Sequence, residues 1–82
     1  MSAQTGSSTK TVEIFVRLLD EGVDVWRPTQ AIVLGPDEVQ LLATADYDAS
    51  AENWEFPPGT RVKCTKERLE GRELLVARQR TA

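Results

Sequence analysis

The side chains that could carry acid–base chemistry in this chain are carboxylates, because the sequence has no histidine and a single cysteine, Cys64. Asp46 and Asp48 flank Tyr47, and two acids at this spacing on one strand lie roughly 6.5–7 Å apart. Paired carboxylates in glycoside hydrolysis need a separation of about 5–10 Å. Any two acids with that spacing meet the criterion, and a chain of 82 residues offers little cleft for a substrate. We therefore expect no enzymatic activity and no catalytic residue.

The composition supports neither a metal site nor a cofactor site. Structural zinc needs cysteine and histidine ligands, which this chain cannot supply. The acids around one turn, Asp20, Glu21 and Asp24, lack the spacing of a calcium loop, and the five glycines are too scattered to cradle a phosphate. We expect neither a metal nor a cofactor. Since Cys64 alternates with apolar Val62, we expect it in the core, and a lone cysteine is typical of a reducing cytoplasm.

Two aromatic–proline clusters hold both tryptophans and three of the four prolines: Val25-Trp26-Arg27-Pro28 and Trp54-Glu55-Phe56-Pro57-Pro58-Gly59. A tryptophan buries a large area and its indole N–H needs an acceptor, so each cluster is either a core anchor or a binding surface. Strand alternation places Val23 and Val25 inside and Trp26 outside, unless Pro28 forces a bulge. Arg27 then points the other way or stacks on an aromatic ring. We expect Trp54 and Phe56 to close the end of the core, one of them partly exposed.

Exposed aromatic residues bordered by charge are frequent anchors of protein–protein interfaces. The preferred hypothesis is thus a non-catalytic binding module that engages a protein partner through an aromatic–proline face. The residues proposed for this face are Trp26, Arg27, Tyr47, Trp54 and Phe56.

Charge is distributed unevenly along the chain, which has a formal net charge of −3. Residues 20–55 contain nine acids and one base, whereas residues 56–82 contain seven bases and three acids. Either the halves neutralise each other across paired strands, or the surface is dipolar and its basic part meets an anionic partner. The second option makes a nucleic-acid-associated barrel the alternative function. The bases proposed for it are Arg61, Lys63, Lys66, Arg68 and Arg72.

Alternating apolar residues predict five strands. They run over residues 12–18, over 23–34 with an edge or bulge at Pro28, over 39–47, from 62 to a hairpin turn at Glu70-Gly71, and from 74 onward. Five strands in so short a chain remove their exposed edges best by curling into a barrel. We expect an all-β, SH3-like barrel. An OB-like barrel is the alternative, because residues 48–53 could form one helical turn with Asp48 as its N-cap.

The expected organisation is a disordered polar tail at 1–9 and a single domain at 10–80. No apolar run approaches the roughly 18 residues that span a bilayer, so we expect a cytoplasmic protein without membrane contact. A homodimer through an exposed edge strand at Pro28 is a further option.

One arrangement of segments resembles a known group of proteins. The segments are Val16 to Pro28, which reads VRLLDEGVDVWRP, Trp54 to Gly59, which reads WEFPPG, and Val62-Lys63-Cys64. Together they cover about residues 12–78 and are similar to a group of short uncharacterised bacterial proteins. The resemblance implies a free-standing bacterial domain of compact β structure, with no known activity.

Overall fold

A computed structural model gives the structure of the chain and describes residues 10–23, 25–69 and 71–81. The predictions for the tail 1–9, for Asp24 and for Glu70 lie outside the described residues. Five strands make up the regular structure: β1 (Thr11–Leu18), β2 (Val25–Val33), β3 (Glu38–Leu41), β4 (Arg61–Leu69) and β5 (Arg72–Arg80). No helix in the described part of the chain is long and apolar enough to cross a membrane.

The strands follow one another around a closed barrel in chain order. Each strand pairs antiparallel with the next, so the first and the last of five run in the same direction. Closure therefore needs a parallel contact, which Phe15 of β1 makes with Val76 of β5. The predicted architecture, a small five-stranded barrel compatible with an SH3-like or an OB-like form, is confirmed.

The core is built from alternate residues of the strands. On β1, Ile14 and Val16 are fully buried while Glu13 and Arg17 are exposed. Fully burying one such aliphatic side chain stabilises the fold by about 1.5–3 kcal/mol. The other members of the core are Leu18, Ala31, Val39, Leu41, Trp54, Phe56, Val62, Cys64 and Ala77. The buried position predicted for Cys64 is confirmed.

Strand β2 has two neighbours along only part of its length. It pairs with β1 from Val25 to Ile32 but with β3 only from Ala31 to Val33. Pro28 lies in the part with one neighbour, where its missing N–H leaves the ladder with β1 intact, so the predicted edge position is confirmed. The prediction that Val23 faces inward is wrong: its side chain is 73% exposed, because the strand begins only at Val25.

Strand β3 is shorter than predicted, since it ends at Leu41 and does not continue to Tyr47. Continuing the β2–β3 register would place Pro28 opposite Thr44 as a hydrogen-bonded pair. Proline has no N–H to donate there. The Thr44 carbonyl instead accepts the Tyr47 N–H at 3.1 Å. A long loop, residues 42–60, therefore connects β3 to β4.

The 42–60 loop folds against the end of β1. Trp54 forms an isolated antiparallel bridge with Leu18, and the Glu55 N–H donates to the Arg17 carbonyl at 2.8 Å. The loop thus pairs with the end of β1 that lies past Phe15, the residue through which β1 pairs with β5. It closes this end of the barrel and places the Trp54 side chain in the core.

Two turns within the loop match their predictions. The Asp48 carboxylate accepts the Ser50 N–H at 3.0 Å and the Ser50 hydroxyl at 2.7 Å, as an N-cap does, although a single turn and no helix follows. These hydrogen bonds lower the pKa of Asp48. The Thr60 N–H donates to the Pro57 carbonyl at 3.1 Å, and Gly59 has a φ of +92°. That is the geometry of the predicted type II turn.

Strands β4 and β5 form a hairpin whose outer part has no third strand beside it. Strand β3 pairs with β4 only over Arg61–Lys63, and β1 meets β5 only at Val76. From Thr65 to the tip the hairpin is a two-stranded ribbon. Gly71 at the tip has a φ of +79°, a conformation that glycine adopts without strain.

Candidate functional site

Trp26 lies on the outward side of β2. Its Cα partner is Arg17 on β1, which alternates with the buried residues Val16 and Leu18 and therefore points away from the core. The Trp26 side chain is half-buried. The β1–β2 register continues without a shift past Pro28, so no bulge turns Trp26 back. The outward orientation predicted for Trp26 is confirmed.

A β-bulge on β5 brings Arg78 over the Trp26 ring. The register of the β4–β5 hairpin shifts between Lys63 and Cys64, which makes Arg78 the extra residue of β5. A bulge bends its strand and redirects the extra side chain. The guanidinium carbon of Arg78 lies 5.4 Å from the centroid of the Trp26 ring, within the range of a cation–π contact.

Glu67 on β4 fixes the position of the Arg78 guanidinium. Nε and Nη2 of Arg78 donate to the two carboxylate oxygens of Glu67, and the Thr65 hydroxyl donates to the same carboxylate at 2.7 Å. Hydrogen bonds from Arg78, and then from Thr65, lower the pKa of Glu67 from 4.5 to about 2. A two-point contact of this kind restricts both the position and the orientation of an arginine.

This ion pair is expected to persist at neutral pH and to open only in strong acid. The pKa of Glu67 is lower in the folded than in the unfolded chain, so its stabilising effect is complete above about pH 4.5 and is lost as the pH falls towards 2. A carboxyl-carbon NMR titration should give a Glu67 midpoint near 2 in the wild type, and in Arg78→Ala a midpoint that rises but stays below 4.5, because Thr65 still donates to the carboxylate. A wild-type midpoint near 4.5 would mean that Arg78 does not hold Glu67 in solution.

Two further bases point outward on β4. Arg61 and Lys63 alternate with buried Val62, so both point outward, and both are exposed. Glu38 stands opposite Lys63 but also accepts the Thr81 hydroxyl at 2.8 Å. We call the outward surface of the neighbouring strands β2, β1 and β5 around Trp26 the Trp26 patch; it comprises Phe15, Arg17, Trp26 and Arg78.

Two ion pairs of the described residues each lie within one half of the chain: Arg27 with Glu52 at 3.0 Å, and Arg78 with Glu67. Across the paired strands β3 and β4, an acid of the first half faces a base of the second, since Glu38 stands opposite Lys63.

Arg27 points to the opposite side of β2 from Trp26, where it joins the 42–60 loop to the core. Its Nε donates to Oε1 of Glu52 at 3.0 Å, and the same oxygen accepts the Trp54 indole N–H at 2.9 Å. The Tyr47 ring packs edge-on against Trp54, with centroids 5.0 Å apart. Trp54 is 3% exposed and Phe56 is 8% exposed. Their predicted place in the core is confirmed, and the expected partial exposure of one of them is wrong.

The structure therefore separates the residues predicted for the binding face. Trp26 lies on the outward patch, whereas the others line the closed end of the barrel. Arg78, and not Arg27, is the cation on Trp26. No local pattern marks Arg78, because a bulge depends on how two strands align. The role of Glu67 could not be predicted from the sequence either, because Glu67 contacts Arg78 only across the bulged hairpin.

The bases of the nucleic-acid alternative do not share one surface either. Arg61 and Lys63 lie on one face of β4, as predicted. Lys66 and Arg68 alternate with Thr65 and Glu67 and point to the other side of the ribbon. Arg72 stands next to the hairpin tip. A continuous track for phosphates along all five bases is not formed.

The remaining chemically active side chains are not brought together. Asp46 and Asp48 do not share a strand face, because the strand that was expected to carry them ends at Leu41. Burial, and then the nearby Asp37 carboxylate, raise the pKa of the Cys64 thiol, which keeps it protonated and unreactive. In the ranges that the structure describes, no group of three or more metal-binding side chains occurs.

An open cleft of about 330 Å³ lies where the β2–β3 ladder ends. There the Thr29 hydroxyl donates to the Leu42 carbonyl at 2.6 Å, in place of a further ladder contact. The cleft contains one titratable group, Glu13, so it offers no acid–base pair. Its lining residues are Glu13, Pro28, Thr29, Gln30, Ala43, Thr44 and Ala45.

Comparison with protein-family models, with curated proteins and with solved structures gives no match for this chain. The resemblance to a bacterial group stays a prediction, and the function has to be argued from the Trp26 patch itself.

Proposed function

We propose that this chain is a non-catalytic β-barrel module that binds a protein partner through the Trp26 patch. The contact between the outward Trp26 ring and the Arg78 guanidinium carries this proposal. Tryptophan and arginine are the residue types that most often dominate the binding energy of protein interfaces. Here both stand on strands of a rigid barrel and not on a loop.

The patch is ordered before any partner arrives. Immobilising a long side chain at an interface costs about 0.5–1.5 kcal/mol. Glu67 already holds Arg78 in place in the unbound protein, so most of this cost does not recur on binding. Val76 pairs with Phe15 of the patch and is fully buried. The strand beside the patch is therefore tightly packed. Preorganisation of this kind raises affinity without adding contacts.

A binding role also fits what the chain lacks. The sequence has no histidine, the Asp48 carboxylate caps a turn, and the Cys64 thiol is buried. The chemically distinctive surface residues are therefore those that suit recognition and not catalysis.

Trp26→Ala is expected to leave the barrel folded and to abolish partner binding. The cost in stability should be about 1–2 kcal/mol, from a half-buried side chain and one exposed cation–π contact. Far-UV circular dichroism on heating measures the fold. Affinity capture with the tagged protein, followed by mass spectrometry, measures the partner.

Val23→Ala is the matched control, since it removes an exposed apolar side chain outside the patch. It should retain every partner that the wild type captures. A partner that Trp26→Ala still captures, or one that both variants lose equally, would remove the basis for a Trp26 interface.

A further inference from the structure

We propose that the partner binds by strand addition: an extended segment of it pairs with the free edge of β2 at Trp26 and Pro28 and places an apolar side chain beside the Trp26 indole. This inference rests on the proposed function and specifies how the partner is held.

The backbone groups of β2 point alternately to its two sides. The Gln30 carbonyl accepts the Leu42 N–H at 2.9 Å on the side of β3. Trp26 and Pro28 lie an even number of residues before Gln30, so their backbone groups point to the same side. They offer one donor, the Trp26 N–H, and two acceptors, the carbonyls of Trp26 and Pro28.

No strand in the described part of the chain pairs with these groups. Strand β3 pairs with β2 only over Ala31–Val33, and the contact from Leu42 to Gln30 is the next one along this side. Unpaired backbone groups at a sheet edge are the template to which an extended peptide adds as a further strand. We call the side of β2 at Trp26 and Pro28 the β2 edge.

The structure leaves room beside the β2 edge. The open cleft of about 330 Å³ is lined by Pro28 and Gln30 of β2 and by Ala43 and Ala45 of the 42–60 loop. Both alanines are exposed, and their short side chains do not fill the place that a longer β3 would have occupied. A strand that adds to β2 enters at this cleft.

A buried hydroxyl in the same cleft makes the loop easy to displace. Thr44 lines the cleft, and its hydroxyl is buried without a hydrogen-bond partner among the described residues. An unsatisfied buried polar group costs free energy. A shift of the loop that admits a strand opens this hydroxyl to a backbone group of the partner and removes that cost.

Strand addition also explains why Trp26 is the anchor of the patch. Directly opposite residues on neighbouring strands point to the same face and contact each other. The partner residue opposite Trp26 therefore points outward, beside the indole that carries the Arg78 guanidinium. An apolar side chain suits this position, because the charge of Arg78 is already paired with Glu67. Proline does not, since the Trp26 carbonyl needs an N–H.

A second copy of the chain pairs less well with the β2 edge, because Pro28 removes a donor from each copy. If Trp26 stands opposite Trp26 in a symmetric pair, each Pro28 carbonyl faces residues before Val25, where the strand begins. If Trp26 stands opposite Pro28, both Trp26 carbonyls stay unpaired. A segment that has its own N–H groups at these positions avoids both losses.

A second free edge, on β4, provides an internal control. The Cys64 N–H donates to the Asp37 carbonyl at 2.8 Å, so Lys66 and Arg68 direct their backbone groups to the same side, beyond β3. Charged side chains on an edge strand, lysine above all, oppose pairing with another strand. We therefore expect the partner at the β2 edge and not here.

Peptide display with the full chain tests the proposal. Short random peptides are selected on the immobilised protein, and those that Trp26→Ala no longer binds are kept. Proline is then placed at each position of such a peptide in turn. We expect it to weaken binding by roughly tenfold or more at alternate positions and much less between them, because the N–H groups of an added strand point alternately to β2 and away from it. Alanine at each position is the control for the lost side chain.

Hydrogen exchange of the backbone amides locates the bound peptide. The Trp26 amide should exchange at least roughly tenfold more slowly when the peptide is bound. The amides of Lys66 and Arg68 should keep their rates.

Thr44→Val tests the contribution of the loop. It removes the hydroxyl and keeps the shape of the side chain, so the barrel should stay folded while the peptide binds roughly threefold or more weakly. Thr44→Ser retains the hydroxyl and should bind within about twofold of the wild type.

Several results overturn the proposal. They are proline sensitivity without a period of two residues, slowed exchange at Lys66 and Arg68 in place of Trp26, and unchanged or tighter binding by Thr44→Val. Self-association of the free chain that protects the Trp26 amide would make a second copy the occupant. If Trp26→Ala loses its captured partner but no displayed peptide requires Trp26, this inference fails and the proposed function stands. If Trp26→Ala retains the partner, the proposed function fails first.

Discussion

Trp54→Ala is expected to destabilise the barrel by about 3–5 kcal/mol, the usual cost of removing a large aromatic side chain from a core. Two side-chain contacts are lost with it: its edge-on contact with Tyr47 and its indole hydrogen bond to Glu52. Small domains have only about 5–15 kcal/mol of stability in total. We therefore expect a large unfolded fraction at room temperature. Urea unfolding should show this as a large decrease in the urea concentration at the midpoint.

Trp26→Ala provides the internal comparison for this measurement. The two variants delete the same side chain, one from the core and one from the outward patch. We expect the loss for Trp54 to exceed that for Trp26 by about 2 kcal/mol or more. Equal losses would contradict the assignment of one tryptophan to the fold and the other to the surface.

Glu52→Ala is expected to cost about 1–3 kcal/mol, mainly because it leaves a buried indole N–H without an acceptor. The Glu52 side chain is 16% exposed, whereas that of Arg27 is 38% exposed. The ion pair with Arg27 is thus substantially screened and should contribute at most about 1 kcal/mol. Glu52→Gln keeps an acceptor oxygen and should recover a large part of the loss. Urea unfolding gives each value.

A double-mutant cycle separates the two roles of Glu52. In a Trp54→Phe background no indole N–H is present, so Glu52→Ala should cost less than in the wild type. In an Arg27→Met background its cost should remain nearly the same. If the Arg27 background, and not the Trp54 background, removes the cost, the ion pair is the dominant contact and our interpretation of Glu52 is wrong.

Much of the fold could be predicted from local sequence, because a strand with one buried face alternates visibly. Ile14 and Val16 against Glu13 and Arg17 show this directly. The type II turn at Gly59 also depends on only four residues. The extent of β3 could not be predicted in the same way, since its end is set by Pro28 on another strand.

The candidate site was predictable only in part, for a related reason. The outward orientation of Trp26 follows from its position relative to Val25 and the buried face of β2. The presence of Arg78 on the Trp26 ring depends on a register shift in a different hairpin, which no alternation pattern contains. The contact between Glu52 and Trp54 depends on how the 42–60 loop folds back over the barrel end.

The two tryptophans thus explain why similar aromatic–proline clusters have different roles. Trp54 sits on a loop that β1 captures through backbone hydrogen bonds, so its side chain is directed into the core. Trp26 lies within a regular strand, and the alternation of side chains along that strand points it outward. A bulge on β5 places the Arg78 guanidinium over its ring. The binding site that we propose is therefore the surface that carries Trp26.

The two indole N–H signals in a proton–nitrogen NMR spectrum test this account most directly, because each reports on one tryptophan. They can be assigned with Trp26→Phe and Trp54→Phe. When a captured partner is added to the labelled protein, the account predicts that the Trp26 signal shifts or broadens while the Trp54 signal stays in place. A shift of the Trp54 signal alone, or binding that moves neither signal, would contradict it.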